Sequence, residues 1–426
     1  MIKKILLNSL LLLSIITTAQ TNISGGIFSN TTFSLKNSPY IVTDNLALFP
    51  NVKLIIEPGV ELKFNSNKYF EIRGQLIAIG TADSRITFTS NSATPNKGDW
   101  SGIQIKNSLG AKASFEYCDF KYASSSTDAE CCNQGGPIYY KKCKFENNIF
   151  AVSGYTGYDI NIDDSEFNNN TYGITQADKV VTNCTFTNNN YGLFQTERID
   201  VSNSTFKNNG TALYGGRGLL QNSTITNNTV GVDSFWEGFT IRNNIISNNG
   251  IGVRTSNYDG YVTKIKNNKI CNNTTYNVEN LDKINKDLTE NCWCTESQSE
   301  IENKLKDGYD NINLGLFNFS IYNSGCGSII EAVIKDNSLS TDDFIAILEK
   351  AVVYPNPTFS DVNINLSSNM DKLEVQLFDE TGKLLFVSDY TNIQNINLNL
   401  KQLNQGTYII NLISSKERIV KKIIKK

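Results

Sequence analysis

The sequence predicts an all-β protein in two parts, a parallel β-helix followed by a small C-terminal β-sandwich. Three observations carry this. A segment with an Asn-Asn pair at its centre recurs about every twenty residues between 143 and 273. The flanking residues alternate apolar and polar with the period of two that belongs to strands. From Ala351 onward the repeat stops and short alternating runs separated by turns take over.

The repeat is anchored on the apolar residue before each Asn pair: Phe145, Phe167, Phe186, Phe206, Ile225, Ile246 and Ile270, at steps of 22, 19, 20, 19, 21 and 24 residues. A period near twenty is that of a solenoid, in which each copy buries its apolar face only against its neighbours. Two residues before each anchor stands a small or polar residue (Cys143, Ser165, Cys184, Ser204, Ser223, Asn244, Asn268), which an i, i+2 spacing puts on the same inward face. The Asn pairs end in Asn148, Asn170, Asn189, Asn209, Asn228, Asn249 and Asn273. Asn accepts left-handed backbone geometry, and stacked amides can bond one another as a ladder. A second strand then opens at Gly173, Gly192, Ala212, Gly231 or Gly252. A leucine-rich repeat shares the period, but there are few leucines, no L-x-x-L-x-L pattern and no room for a helix.

Before the repeat, the runs LIIEPGVELKF, YFEIRGQLIAIG, RITFTS and WSGIQI read as wider first coils, so 20–105 is assigned to an N-terminal cap and first coils and 106–326 to the repeats with their closing segment. There, TESQSEIENKLKD predicts a short helix capped by Ser297 or Ser299, with Ile301 and Leu305 on one face. Cys118, Cys143 and Cys184 fall two residues before an anchor and read as buried core thiols. If Trp293 takes the next anchor place, Cys294 stacks on Cys271, close enough for a disulfide. Cys131 and Cys132 fall in a loop, and no partner is assigned to them, to Cys292 or to Cys326.

The chain has 426 residues, a net charge of −3 and no histidine. The charge gives no pull toward nucleic acid. The missing histidine excludes Ser-His-Asp triads and His-based metal sites, and with only two methionines it weakens a copper-handling role. Residues 1–19, with Lys3 and Lys4 before an apolar run and Thr17 and Ala19 near its end, read as a signal peptide. The capped solenoid is expected to be a monomer.

Residues 327–350 read as a linker. In 351–426, Val362, Ile364 and Leu366, then Leu373, Val375 and Leu377, then Ile396, Leu398 and Leu400, then Tyr408, Ile410 and Leu412 alternate with polar residues, and DETGK at 379–383 reads as a hairpin turn. About seven short strands suggest a sandwich. This region resembles the type A C-terminal sorting domain of type IX secretion in Bacteroidetes. The matching residues are VYPNP, with Tyr354, Pro355, Asn356 and Pro357, the turn Glu380 to Lys383, Gly406 with Tyr408, and KKIIK, with Lys421 and Lys422. The resemblance implies an immunoglobulin-like fold, recognition by the type IX translocon and a secreted or cell-surface product. Residues 25–325 resemble right-handed parallel β-helix repeat proteins, through IEPGVELKF, GDWSGIQI and the closing CWCTESQ segment, where Cys294 replaces a usual Gly. That superfamily includes polysaccharide lyases and glycoside hydrolases, so the likeness implies fold more than activity.

In such enzymes the substrate lies in an outward groove. Here the outward column of the second strand runs Thr175, Phe194, Tyr214, Asp233, Arg254, with Glu197, Arg198, Arg217, Phe235, Trp236, Glu237, Tyr258 and Asp259 at the turn beyond. Aromatic rings suit sugars, and Arg suits uronate carboxylates. Phe194, Tyr214, Trp236, Tyr258 and Arg217 are therefore candidate polysaccharide-binding residues. Asp233, Glu237 and Arg254 are the candidates for catalysis if the protein is a lyase or hydrolase, which needs paired carboxylates or a base; a lyase would add calcium, and otherwise no cofactor is expected. A structural or adhesion rod without a glycan site is the remaining alternative.

Overall fold

In the computed structural model, the described residues are 20–130, 137–154, 160–176, 179–236, 238–257, 262–320, 322, 326, 351–379, 383–414 and 418–426. The signal-peptide segment and the 327–350 linker lie outside them. The chain divides into two compact units, 1–337 and 338–426.

The first unit is a parallel β-solenoid of about eleven turns. Register follows the anchors: Phe145 pairs with Phe167, Phe167 with Phe186, Phe186 with Phe206, Phe206 with Ile225, Ile225 with Ile246 and Ile246 with Ile270. All are fully buried. The phenyl rings from Phe88 through Phe120 and Phe145 to Phe206 stack with centroids 4.5–5.0 Å apart and planes within 8°. One residue type at one register position thus yields a continuous inner column.

The two residues of each Asn pair divide the work. The first (Asn147, Asn169, Asn188, Asn208, Asn227, Asn248, Asn272) takes the left-handed turn, with φ between 53° and 59°. The second forms the buried ladder. From Asn170 to Asn273 each Oδ1 accepts the backbone N–H and the Nδ2–H of the Asn one coil earlier, as from Asn189 to Asn209 at 2.9 and 3.0 Å, while Asn148 at the start accepts the Ala123 N–H. Assigning both roles to the second Asn was too coarse: φ is set residue by residue, and periodicity cannot separate neighbours. A second ladder runs through the small-residue column. The N–H of Cys143 donates to Ser165 Oγ, then Cys184 to Ser204, Ser204 to Ser223, Ser223 to Asn244, Asn244 to Asn268 and Asn268 to Asn291. Glycine opens the second strand because the next coil's carbonyl passes there; a Cβ on Gly173 would lie 2.4 Å from the Gly192 oxygen.

The thiols of Cys118, Cys143 and Cys184 are buried and free. The Cys271–Cys294 disulfide is present, and a second, Cys292–Cys326, joins it. Cys271 is buried by its bond, not turned to solvent as its register alone suggests. The closing helix is only Gln298–Glu302, with Ser297 accepting from the Glu300 N–H. Leu305 falls beyond it, in a strand that pairs Val278 with Leu305.

The second unit is a five-stranded antiparallel sheet with its own apolar core. Fewer, longer strands replace the expected seven. Asp361–Asp379 pairs by its first part with Val352–Tyr354, and by its last part with Gly406–Ile413. Leu384–Asn399 follows it along both parts, with the register broken between Asn365 and Met370. Glu380, Thr381 and Gly382 of the expected turn lie outside the described residues, but Asp379 and Lys383 bond across it.

Candidate functional site

The second strand of each coil sets an outward column. Register pairs Thr175 with Phe194, Phe194 with Tyr214, Tyr214 with Asp233 and Asp233 with Arg254, as the repeat predicts. The column continues through Glu279 to Lys306. Thr175 is buried and takes no part in the surface.

The aromatic part is larger than the column. Phe150, Tyr172 and Tyr191 stand at the opening position of the same strand, just before the Gly or Ala slot. Sequence reasoning missed them because it counted only the residues after that slot, although their recurrence was visible. Tyr172 lies 4.8 Å from Phe194, Tyr191 4.9 Å from Phe194 and 5.3 Å from Tyr214, and Tyr214 4.8 Å from Phe235. Six rings, from Phe150 to Phe235, thus form one half-buried strip along the axis. Phe194 and Tyr214 stack at 5.1 Å with planes 7° apart. Their faces are therefore taken up by each other, and ring edges and phenol groups meet solvent. The two faces expected from the sequence to stack on sugars are thus occupied by ring-on-ring packing. Gly215, with φ +64°, makes room for Phe235, whose ring would meet a Cβ there at 2.6 Å.

Beyond Tyr214 the column turns ionic. Arg254 binds Asp233 at 3.2 Å and Glu279 at 2.8 Å, and Lys306 binds Glu279 at 2.7 Å. Burial pushes the Asp233 carboxyl up, against the pull of Arg254. Burial also acts to raise Glu279, but hydrogen bonds from Lys306 and Arg254 outweigh it and leave its carboxyl below the usual value. Asp233 and Arg254, chosen as separate catalytic groups, are each other's ion-pair partners. The carboxylates of Asp233 and Glu279 already face the Arg254 guanidinium and the Lys306 ammonium, so calcium would have to displace these cations; the residues do not fit the ion. Among the described residues, no group of three or more acidic or Cys side chains could hold a metal.

Arg217 is half-buried on Thr211–Gln221, and Arg198 is exposed. Glu237, Tyr258 and Asp259 lie outside the described residues, as do the side chains of Glu197 and Trp236. A surface depression of about 220 Å³ lies away from this column, among Asn65, Ser90, Asn91 and Asp99 on the first coils.

In the second unit, the two expected sorting motifs touch. Asn356 Nδ2 donates to the Lys422 carbonyl at 2.7 Å, and its Oδ1 accepts from the Ile424 N–H at 2.9 Å. Thr358 and Lys425 form a parallel bridge beside them. Pro355 and Pro357, which flank Asn356, have no N–H to offer that strand. Tyr354 is exposed, as is Lys422, whereas Tyr408 is buried with its hydroxyl donating to the Asn404 carbonyl at 2.8 Å. Gly406 pairs with Lys425, and Ile410 with Lys421.

Residues 352–426 match the family model of the secretion system C-terminal sorting domain. The chain is also similar, at 39% identity over 77 residues, to Protein bark beetle of Drosophila melanogaster, a stretch that is 18% of this chain and 2% of that protein. The chain therefore spans a small fraction of that relative's length. The sorting domain indicates a secreted, cell-surface protein that engages the type IX secretion system.

Proposed function

We propose that the β-helix is a non-catalytic binding rod for an extracellular polysaccharide, delivered to the cell exterior by its sorting domain. The observation that supports this best is the strip of six rings running along the axis, Phe150 to Phe235, at one outward face of successive coils. A linear polymer can follow such a strip, with the apolar edges of its sugars on the rings and its hydroxyls reaching the phenols of Tyr172, Tyr191 and Tyr214. The ionic end of the column offers two acids and two bases already paired, so a neutral polymer is a better match than a polyuronate.

The lyase and hydrolase readings have less support. Both need Asp233 or Arg254 free to exchange a proton at the reacting sugar, and each is held by the other. The test uses the exported chain with a panel of neutral and uronate-containing polysaccharides, with calcium and with chelator. Retention on insoluble neutral polymer without new reducing ends or unsaturated products is the expected result. Product that disappears in Asp233→Asn would overturn it in favour of an enzyme, and neither binding nor product would leave a structural rod.

A further inference from the structure

The sorting unit carries one surface that its fold does not explain. Leu384, Leu385, Phe386 and Val387 are consecutive, apolar and 47%, 38%, 39% and 53% exposed. Among the described residues no other run of exposed large apolar side chains is even three long. They open the strand Leu384–Asn399, which pairs only with Asp361–Asp379, so its other edge is free among the described residues. Four successive exposed residues on a strand mean that both faces are uncovered there. The register slips at this point: Phe378 pairs with Leu384 and Leu377 with Phe386, leaving Leu385 without a cross-strand partner.

Edge strands invite pairing, and proteins usually protect them with Lys, Pro or inward charge. The segment 384–387 has none of these; charge returns only at Lys383 and Asp389. An unprotected apolar edge is a hazard unless it has a use. This unit has one obligatory contact, with the secretion machinery, because 352–426 is a sorting domain. We propose that the machinery reads the domain by strand addition at this edge: an extended segment of the exporter hydrogen-bonds along 384–387 and sets apolar side chains against the four exposed ones, which the bulge at Leu385 distributes over both faces. The signal is then a folded surface, held by the domain's core, and the exposed Leu385 and Val387 can be changed without entering that core.

The test is delivery of the full chain in a host with type IX secretion, measured as the protease-accessible share at the surface against the share retained in the periplasm. Leu385→Lys with Val387→Lys puts two charges on the edge and should cut the surface share at least about tenfold, a 1.4 kcal/mol effect, with the retained chain showing an unchanged melting curve. Ile312→Lys, an equally simple change at a fully exposed position of the solenoid, should leave delivery intact. If the Lys pair unfolds the domain, Leu385→Thr with Val387→Thr keeps strand preference and must show the same retention. Normal delivery of the folded double variant overturns the proposal. So does a purified chain that is dimeric through this edge, and is made monomeric by the Lys pair with delivery unchanged; the occupant would then be a second copy.

Discussion

Asn209 and Asn208 are neighbours with the same side chain and different tasks. Asn209 is buried, accepts two N–H groups of Asn189 and donates to Asn228 and to the Phe186 carbonyl. Asn208 is exposed and holds a φ of 59°. Asn209→Ala leaves a buried N–H and carbonyl without partners and should cost about 3 kcal/mol; Asn208→Ala should cost about 1 kcal/mol, from left-handed strain alone, and Asn208→Gly close to nothing. Denaturant midpoints of the three variants check this order. The sequence made the pair conspicuous but not its division, because adjacent residues recur with equal period and only the backbone angle tells them apart. Lys286 was not legible at all. Its ammonium is fully buried against both Asp282 oxygens, at 2.7 and 2.8 Å, and the Asn280 side-chain Oδ1. It belongs to no repeat, so no periodicity exposes it. Lys286→Met should destabilise by about 3 kcal/mol, by stranding the Asp282 charge, seen as a lower thermal midpoint.

At the scale of elements, the outward column was legible from register alone: Phe194, Tyr214, Asp233 and Arg254 fell where the repeat put them. What they do to one another was not, since Glu279 falls one residue further from its anchor Ile270 than Arg254 does from Ile246, and Lys306 comes from a closing coil without the Asn pair. The ionic ladder has a pH signature. Glu279 has a folded value below its ordinary 4.5, so between the two values the unfolded chain binds more protons. Its stabilising contribution is complete above pH 4.5 and is lost as pH falls through the lowered folded value. Asp233 runs the other way: its raised value favours the folded state most below pH 3.8, and that advantage fades as pH rises. Glu279→Gln should therefore flatten the loss of stability on acidification below pH 4.5, and Asp233→Asn should make the wild-type loss steeper. Urea unfolding from pH 3 to 7 would show both, in roughly half-unit steps.

For the whole molecule, two parts with different periods were readable because each kind of packing imposes its own: one coil per twenty residues in the solenoid, two residues in the antiparallel unit. Covalent closure was half readable. Cys271–Cys294 followed from stacking two coils, whereas Cys292–Cys326 depends on a closing segment that has no repeat. Intact-mass analysis should show two disulfides involving these four cysteines, and Cys118, Cys143 and Cys184 should resist alkylation until the chain is unfolded. The exterior is where the solenoid can act, and its continuous aromatic strip is the central claim. The most direct measurement is the affinity of the exported chain for a soluble neutral polysaccharide selected from the panel, compared with Phe194→Ala, Tyr214→Ala and a control on another face, Thr205→Ala. The account predicts losses of about 1–3 kcal/mol for each ring and none for the control. Equal affinity in all four proteins would contradict it and remove the strip as the binding surface.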